Sequence, residues 1–203
     1  MRVLVPTPLD LIWAAIGVIL TALGTLCQIT FPPHLPLVGG YTFSLQLGGV
    51  FLTACLGGSL AGLYAQAGYL ALGLSGVPIF SYGGGWEYSQ QPAFGYLVGF
   101  LPAAWICGRL AHPPRPKRRR RRMHQQPRTR SRLGWACILG LAVVHLCGMG
   151  GIIATKGLSP ISLDFLWRYS LYPLPGHGLV VVTVISLTLI YRRITFSTPT
   201  SQA

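Results

Sequence analysis

The uncharged stretch at residues 42–75, TFSLQLGGVFLTACLGGSLAGLYAQAGYLALGLS, decides the fold. It contains no Asp, Glu, Lys or Arg, whereas a soluble domain needs charged surface along such a length. The pairs Gly48-Gly49 and Gly57-Gly58 interrupt it, and glycine disfavours a continuous helix. The stretch therefore predicts two short membrane spans, 43–57 and 59–75, joined near Gly57.

The composition of the whole chain also predicts an integral membrane protein. The 203 residues are 51% hydrophobic and 9% charged, with a mean hydropathy of +0.53, whereas soluble domains are about 25% charged. We expect one all-α membrane domain, residues 1–203, with six transmembrane helices. The predicted spans are 8–31, 43–57, 59–75, 94–111, 133–154 and 179–194.

The distribution of basic residues predicts the orientation of these spans. Most of the 16 Lys and Arg residues lie between Arg109 and Arg132, and all except Lys156 and Arg168 fall on the side of the termini. The positive-inside rule therefore predicts an N-in, C-in protein of the plasma membrane. The basic loop 112–132 becomes a cytoplasmic segment near anionic lipid headgroups, and no nucleic-acid partner is expected. The loops 32–42, 76–93 and 155–178 then cap a ligand site on the outer face.

The five cysteines predict neither a metal site nor a disulfide framework. They all lie within apolar runs, and no pair has a C-x-x-C spacing. We therefore expect small, reduced core residues and no cofactor. The residues are Cys27, Cys55, Cys107, Cys137 and Cys147.

Three separated blocks resemble one known family. They are SLQ at 44–46, YLALGLSGVPIF at 69–80 and PAFGYLVGF at 92–100. The last two are similar to YLLLGxxGxPVF and GPTxGYLxGF of the BioY family, the biotin-specific substrate-capture (S) subunits of energy-coupling-factor (ECF) transporters. The resemblance implies a six-helix membrane protein that binds biotin near its outer face. It also implies partners, namely a membrane scaffold subunit and paired ATPases, although some members are believed to act alone.

The resemblance and the chemistry of biotin together give candidate ligand residues. Biotin has a ureido group, an apolar thiophane ring and an anionic valerate, so its pocket needs aromatic walls and a few polar groups. Gln46, Ser44 and Tyr96 can hydrogen-bond the ureido group. The candidates for the apolar walls are Tyr41, Phe80, Tyr82 and Trp86.

Two positions depart from the family motif PGDxxK, because residues 175–180 read PGHGLV. His177 replaces the carboxylate and Val180 replaces the lysine, so the choice between biotin and a related ligand stays open. Another acid, Glu87 or Asp164, is then expected to accept from the ligand. The cations available to the valerate are Lys156, Arg168 and a protonated His177.

Several of these residues have a second interpretation. Gln46 can serve only to join two helices, because polar side chains link helices in a membrane. Tyr82, Trp86 and Tyr96 can be aromatic residues of the membrane interface. His145, inside the fifth span, is expected to be neutral and bonded to a helix carbonyl.

A short motif suggests catalysis. Residues 73–76, GLSG, match the G-x-S-G of rhomboid intramembrane proteases, in which Ser75 would need His145 or His177 as its base. The same residues fall inside the second BioY-like block, so we expect a binding protein and no enzyme. A structural membrane protein without a small ligand is the third class.

The first helix carries a stripe of small residues, which allows another helix to approach closely. Its partner is either the ECF scaffold subunit or a helix of the same bundle, and the sequence leaves both open. The four residues of this small-residue stripe are Ala14, Gly17, Thr21 and Gly24.

Overall fold

The structure is a computed structural model that describes residues 5–32, 34, 40, 42–113 and 126–197. Seven α-helices occur in these residues, and six of them, α1 to α5 and α7, form the bundle, which confirms the predicted all-α membrane fold. Four helical stretches are long and apolar enough to cross a membrane. The helices are α1 Pro8–Leu26, α2 Gln46–Gly57, α3 Ser59–Leu74, α4 Phe94–Ala111, α5 Gln126–Lys156, α6 Pro160–Leu166 and α7 Leu174–Ser197.

Helix α1 begins as its sequence predicts but ends earlier than residue 31. Thr7 and Asp10 form a reciprocal cap, in which the Thr7 amide donates to Asp10 Oδ2 at 2.8 Å. Beyond Leu26 the chain forms β1, Gln28–Thr30, which pairs antiparallel with β2, Thr42–Ser44. The expected span 8–31 is therefore too long at its end, and the expected span 43–57 is too long at its start. In both places the residues are extended and pair as a hairpin.

Helices α2 and α3 are short because the chain turns sharply between them. Gly58 has a φ of +95°, which favours glycine over residues with a Cβ. The two helices contain 12 and 16 residues, fewer than the about 20 that cross a bilayer alone.

The expected outer loop 155–178 is largely helical. Ser159 caps α6, since its hydroxyl accepts from the Ser162 amide, and Pro160 occupies the first turn. A five-residue π-helical segment, Trp167–Leu171, then leads towards α7. The expectation of a loop is wrong here. The mixed, partly polar sequence suggested a loop, but Ser159 and Pro160 within it start a helix.

The connections alternate between two ends of the bundle. We call one the hairpin end, which holds β1, β2 and residues 75–93 and 157–173. The other is the basic end, which holds the Gly58 turn, His112 and Arg130. Helix α5 begins at Gln126, so part of the expected loop 112–132 is helical, and residues 114–125 lie outside the described residues.

The small-residue stripe of α1 packs inside the bundle. All four residues are buried, facing α2 and α3. A Cβ on Gly17 would lie 2.5 Å from Thr53 Cγ2 and 2.7 Å from Ala65 Cβ. The opposite face of α1 exposes Ile12, Ile19 and other large apolar side chains. The structure therefore favours internal packing of the stripe over contact with a partner subunit.

The prediction of reduced core cysteines is confirmed for three of the five, which are buried and free, and is wrong for Cys27, which is exposed. The three buried cysteines also come together in one cluster. The sulfurs of Cys55 on α2, Cys107 on α4 and Cys137 on α5 lie within 4.8 Å of one another. Cys27 is exposed and Cys147 is half-buried, away from this cluster. Residue spacing could not reveal the cluster because its members come from three separate helices.

Replacing Gly17 with Leu is expected to destabilise the isolated chain by about 1–3 kcal/mol, because the new side chain would overlap Thr53 and Ala65. Thermal unfolding in detergent measures the loss. The matched control is Ile19→Leu, which keeps the volume of a side chain that is 59% exposed. Equal stability of both variants and the wild type would contradict internal packing and favour a docking role for the stripe.

Candidate ligand site

A cavity of about 430 Å³ opens at the hairpin end of the bundle. Its walls come from the hairpin, α2, α4, α5, the loop before α4, the π-helical segment and the first turn of α7. The volume lies within the range of about 300–1,000 Å³ that is typical of small-molecule sites. Six of the predicted ligand residues line it: Ser44, Gln46, Tyr82, Tyr96, Arg168 and His177.

Several predicted residues are described in the structure but do not line the cavity, among them Lys156, Phe80, Trp86 and Glu87. Trp86 is 74% exposed, and Glu87 follows it in a short 3₁₀ turn. Phe80 is buried behind the wall, where its ring centroid lies 4.6 Å from that of Tyr88. Tyr41 lies outside the described residues.

Several wall residues were missed from the sequence. They include the aromatic residues Phe43, Tyr88, Phe100 and Tyr169. Burial raises the pKa of Tyr88 to about 12, so its side chain is a neutral phenol at physiological pH. Phe43 directly precedes the family-like block 44–46, and Phe100 is the last residue of the block 92–100. These positions are the sequence signal that could have identified the two residues.

The hydroxyl of Tyr69 connects the cavity to the core. Tyr69 is fully buried on α3, and its hydroxyl donates to the Ile79 carbonyl at 2.9 Å. It also accepts from Gln46 Nε2 at 2.9 Å and lies 3.0 Å from Thr25 Oγ1. Gln46 thus joins two helices and lines the cavity, so its two interpretations are compatible. Tyr69 accepts from one of the two N–H donors of this amide, so the second N–H and Oε1 remain for a ligand.

Two histidines meet at the cavity wall. His177 Nδ1 lies 3.3 Å from His145 Nε2, so one ring nitrogen donates to the other. The ring of Tyr96 stands edge-on to His145, and its hydroxyl hydrogen-bonds Ser170. The expected bond from His145 to a helix carbonyl is wrong, since Nδ1 has no hydrogen-bond partner within the described residues. The pairing leaves Nε2 as the ring nitrogen of His177 available to a ligand.

Arg168 supplies a positive charge at the edge of the cavity. Its Nε lies 2.9 Å from Asp164 Oδ2, and both side chains are more than half exposed. Asp164, like Glu87, is absent from the cavity wall as described. The expected replacement of the family carboxylate by either acid therefore gains no support from their positions.

Val180 lies away from this cavity. It is buried at 4% exposure and lines a separate apolar groove between α1, α2 and α7. A Cβ on Gly48 would lie 3.5 Å from its Cγ1. An apolar side chain suits this position, whereas the family lysine would place a charge in the groove.

Ser75 has no catalytic partner in the described part of the chain. Its exposed hydroxyl donates to the Leu72 carbonyl at 2.8 Å. His145 and His177 instead contact each other at the cavity. A serine needs an adjacent base to act as a nucleophile, so the geometry gives no support to the protease alternative.

Comparison with known protein families gives one decisive match. The model described as "BioY family" matches residues 2–197, nearly the whole chain. The chain belongs to the BioY family. The resemblance based on residues 69–80 and 92–100 is therefore confirmed. In this BioY chain the first block contains the buried Tyr69, and the second contains Tyr96 of the cavity wall.

Curated relatives of this BioY chain include two bacterial proteins. "Probable biotin transporter BioY" of Lysinibacillus sphaericus is 44% identical over 100 residues, covering 49% of this chain and 47% of that protein. The chain thus spans about half the length of that relative. "Biotin transporter BioY" of Rhodobacter capsulatus is 28% identical over 168 residues, covering 81% and 84%.

A solved structure shares the BioY fold of this chain. It is described as the crystal structure at 2.1 Å of the S-component for biotin from an ECF-type ABC transporter. The match has a TM-score of 0.59 at 19% identity and covers 91% of this chain and 90% of the other. At this identity the match shows the arrangement of helices and not the ligand.

Replacing Tyr69 with Phe is expected to lower stability by about 1–3 kcal/mol, because Gln46 Nε2 and the Ile79 carbonyl each lose their partner. Thermal unfolding of the purified protein measures the effect. Tyr82→Phe is the matched control, since Tyr82 is 73% exposed and should tolerate the change. Equal losses in both variants would contradict a central role for the Tyr69 hydroxyl.

Proposed function

We propose that this protein is the membrane substrate-binding subunit for biotin uptake. The observation that carries the proposal is the cavity at the hairpin end, whose wall combines Ser44, Gln46 and His177 with aromatic side chains. The family match and the names of the bacterial relatives support biotin as the ligand class. The protein binds its substrate and does not transform it.

The ureido group is assigned to Gln46 and its neighbours. A ureido group offers two N–H donors and one carbonyl acceptor. Gln46 Oε1 can accept from a ureido N–H, and the hydrogen bond to Tyr69 fixes the orientation of the side-chain amide. Ser44, beside it on β2, can donate to the ureido carbonyl. The thiophane ring then packs against Phe43, Phe100 and other aromatic side chains of the wall.

The valerate carboxylate is assigned to Arg168. Arg168 lines the cavity while its exposed side chain holds Asp164. An incoming carboxylate would compete with Asp164 for the guanidinium. Because an exposed ion pair contributes little free energy, Asp164 is readily displaced. His177 provides a second polar group through Nε2, in place of the family carboxylate.

Transport requires a source of energy outside this chain. The sequence contains no G-x-x-x-x-G-K-[ST] motif, so ATP hydrolysis is assigned to ATPase subunits. An ECF membrane scaffold subunit would couple them to this protein, unless it acts alone. The ECF description of the structural relative is consistent with this assembly.

The proposed orientation puts the cavity outside the cell. The cavity is at the hairpin end, and the flanks of the basic segment, His112 and Arg130, are at the opposite end. The positive-inside rule supports a cytoplasmic basic end in the plasma membrane, where anionic lipids would attract the arginines.

Saturable biotin binding to the purified protein is the direct test. Gln46→Ala is expected to weaken binding by about 10- to 100-fold, because a buried ureido N–H would lose its acceptor. Equilibrium binding of labelled biotin measures the affinity. Trp86→Ala is the matched control, since this aromatic residue lies outside the cavity wall and should leave affinity unchanged.

Competing ligands identify the group that is recognised. Dethiobiotin retains the ureido group and should displace biotin, whereas lipoate lacks it and should not. Lipoate competing as well as dethiobiotin would contradict the role given to Gln46. A wild-type protein without saturable biotin binding would refute the proposed function and support a structural membrane protein.

Reporter fusions test the orientation. A fusion within residues 112–132 should report the cytoplasm, and one at Gly83 in the loop before α4 should report the outside. The physical reason is the concentration of arginines at the basic end. The reverse pattern would refute the outward-facing site while leaving the fold intact.

A further inference from the structure

The thiol cluster formed by Cys55, Cys107 and Cys137 is the most concentrated group of soft donor atoms in the described residues. The Sγ of Cys55 lies 3.7 Å from that of Cys107 and 3.9 Å from that of Cys137. All three sulfurs lie within 4.8 Å of one another, and all three side chains are fully buried. The cysteines are free, so each sulfur is available as a ligand.

We propose that this cluster binds one thiophilic d¹⁰ cation of the Zn²⁺ or Cd²⁺ class. Thiolate sulfur binds Zn²⁺ at about 2.3 Å, so three sulfurs around one cation are about 3.8–4.0 Å apart. The distances from Cys55 to the other two sulfurs already match this spacing. Small inward movements of Cys107 and Cys137 would complete the set. Thiolates select such soft or borderline cations over Mg²⁺ and Ca²⁺.

The surroundings of the thiol cluster provide charge compensation. Three thiolates around a divalent cation leave one net negative charge, which needs a positive partner in an apolar bundle. The guanidinium of Arg192 is adjacent, since its Nη2 donates to the Cys55 carbonyl at 3.0 Å. The same Nη2 lies 3.3 Å from His112 Nε2. Arg192 is thus held against the backbone of the helix that carries Cys55.

The thiol cluster lies near one end of the bundle. Cys55 is close to the Gly58 turn, and Cys107 is in the last turns of α4 before His112. The cluster is therefore near the basic end and separate from the cavity at the hairpin end. A cation here would join α2, α4 and α5, the helices that carry much of the cavity wall.

Titration of the reduced, full-length protein with Cd²⁺ tests the site. We expect one Cd²⁺ per chain, seen as thiolate-to-cadmium charge-transfer absorption, with Mg²⁺ unable to compete. Cys55→Ser, Cys107→Ser and Cys137→Ser should each weaken binding by at least about 10-fold, since changes to supporting groups alone cost 10- to 100-fold. Cys27→Ser and Cys147→Ser are matched controls that should bind as the wild type does.

Absence of Cd²⁺ binding by the reduced wild type would overturn the proposal. So would wild-type affinity in all three cluster variants, or an equal loss in the two control variants. If a cluster variant fails to fold, X-ray absorption of the Cd²⁺-loaded wild type decides the matter. Three sulfur ligands would support the site, and a shell of mainly oxygen and nitrogen ligands would refute it.

Discussion

The hydrogen bonds of the Tyr69 hydroxyl are the interaction on which the rest of this structure depends. Within the membrane interior no water is available to replace a lost hydrogen bond, so buried polar groups must find partners inside the protein. Tyr69 brings α1, α2, α3 and the loop before α4 to one point through Thr25, Gln46 and the Ile79 carbonyl. It thereby fixes the orientation of the Gln46 side-chain amide at the cavity wall.

Close packing and helix length together produce the cavity. Small residues on α1 let it approach α2 and α3, and the Gly58 turn keeps α2 short. Because α2 begins only at Gln46, the space above it at the hairpin end is left to β1, β2 and the connecting segments. These segments bring side chains from distant parts of the sequence to one wall. The aromatic residues of the wall give the cavity a largely apolar surface.

The two ends of the bundle have different chemistry. The hairpin end combines aromatic walls with neutral hydrogen-bonding groups and the exposed cation Arg168, which suits a small amphipathic anion. The basic end combines a buried thiol cluster with Arg192 and His112. Helices α2, α4 and α5 connect the two ends.

The sequence by itself determined the membrane class, the six-helix architecture and the family, because hydropathy and short motifs are local properties of the chain. It also predicted a shared location for Gln46, Tyr96 and His177, which line one cavity. Only the tertiary structure decided that α1 ends at a hairpin, that Phe80 lies behind the cavity wall and that Tyr88 lies within it. Only packing likewise showed the pairing of His145 with His177 and the convergence of three cysteines. These features depend on which helices are neighbours and how they are rotated, and residue spacing within one helix carries no information about either.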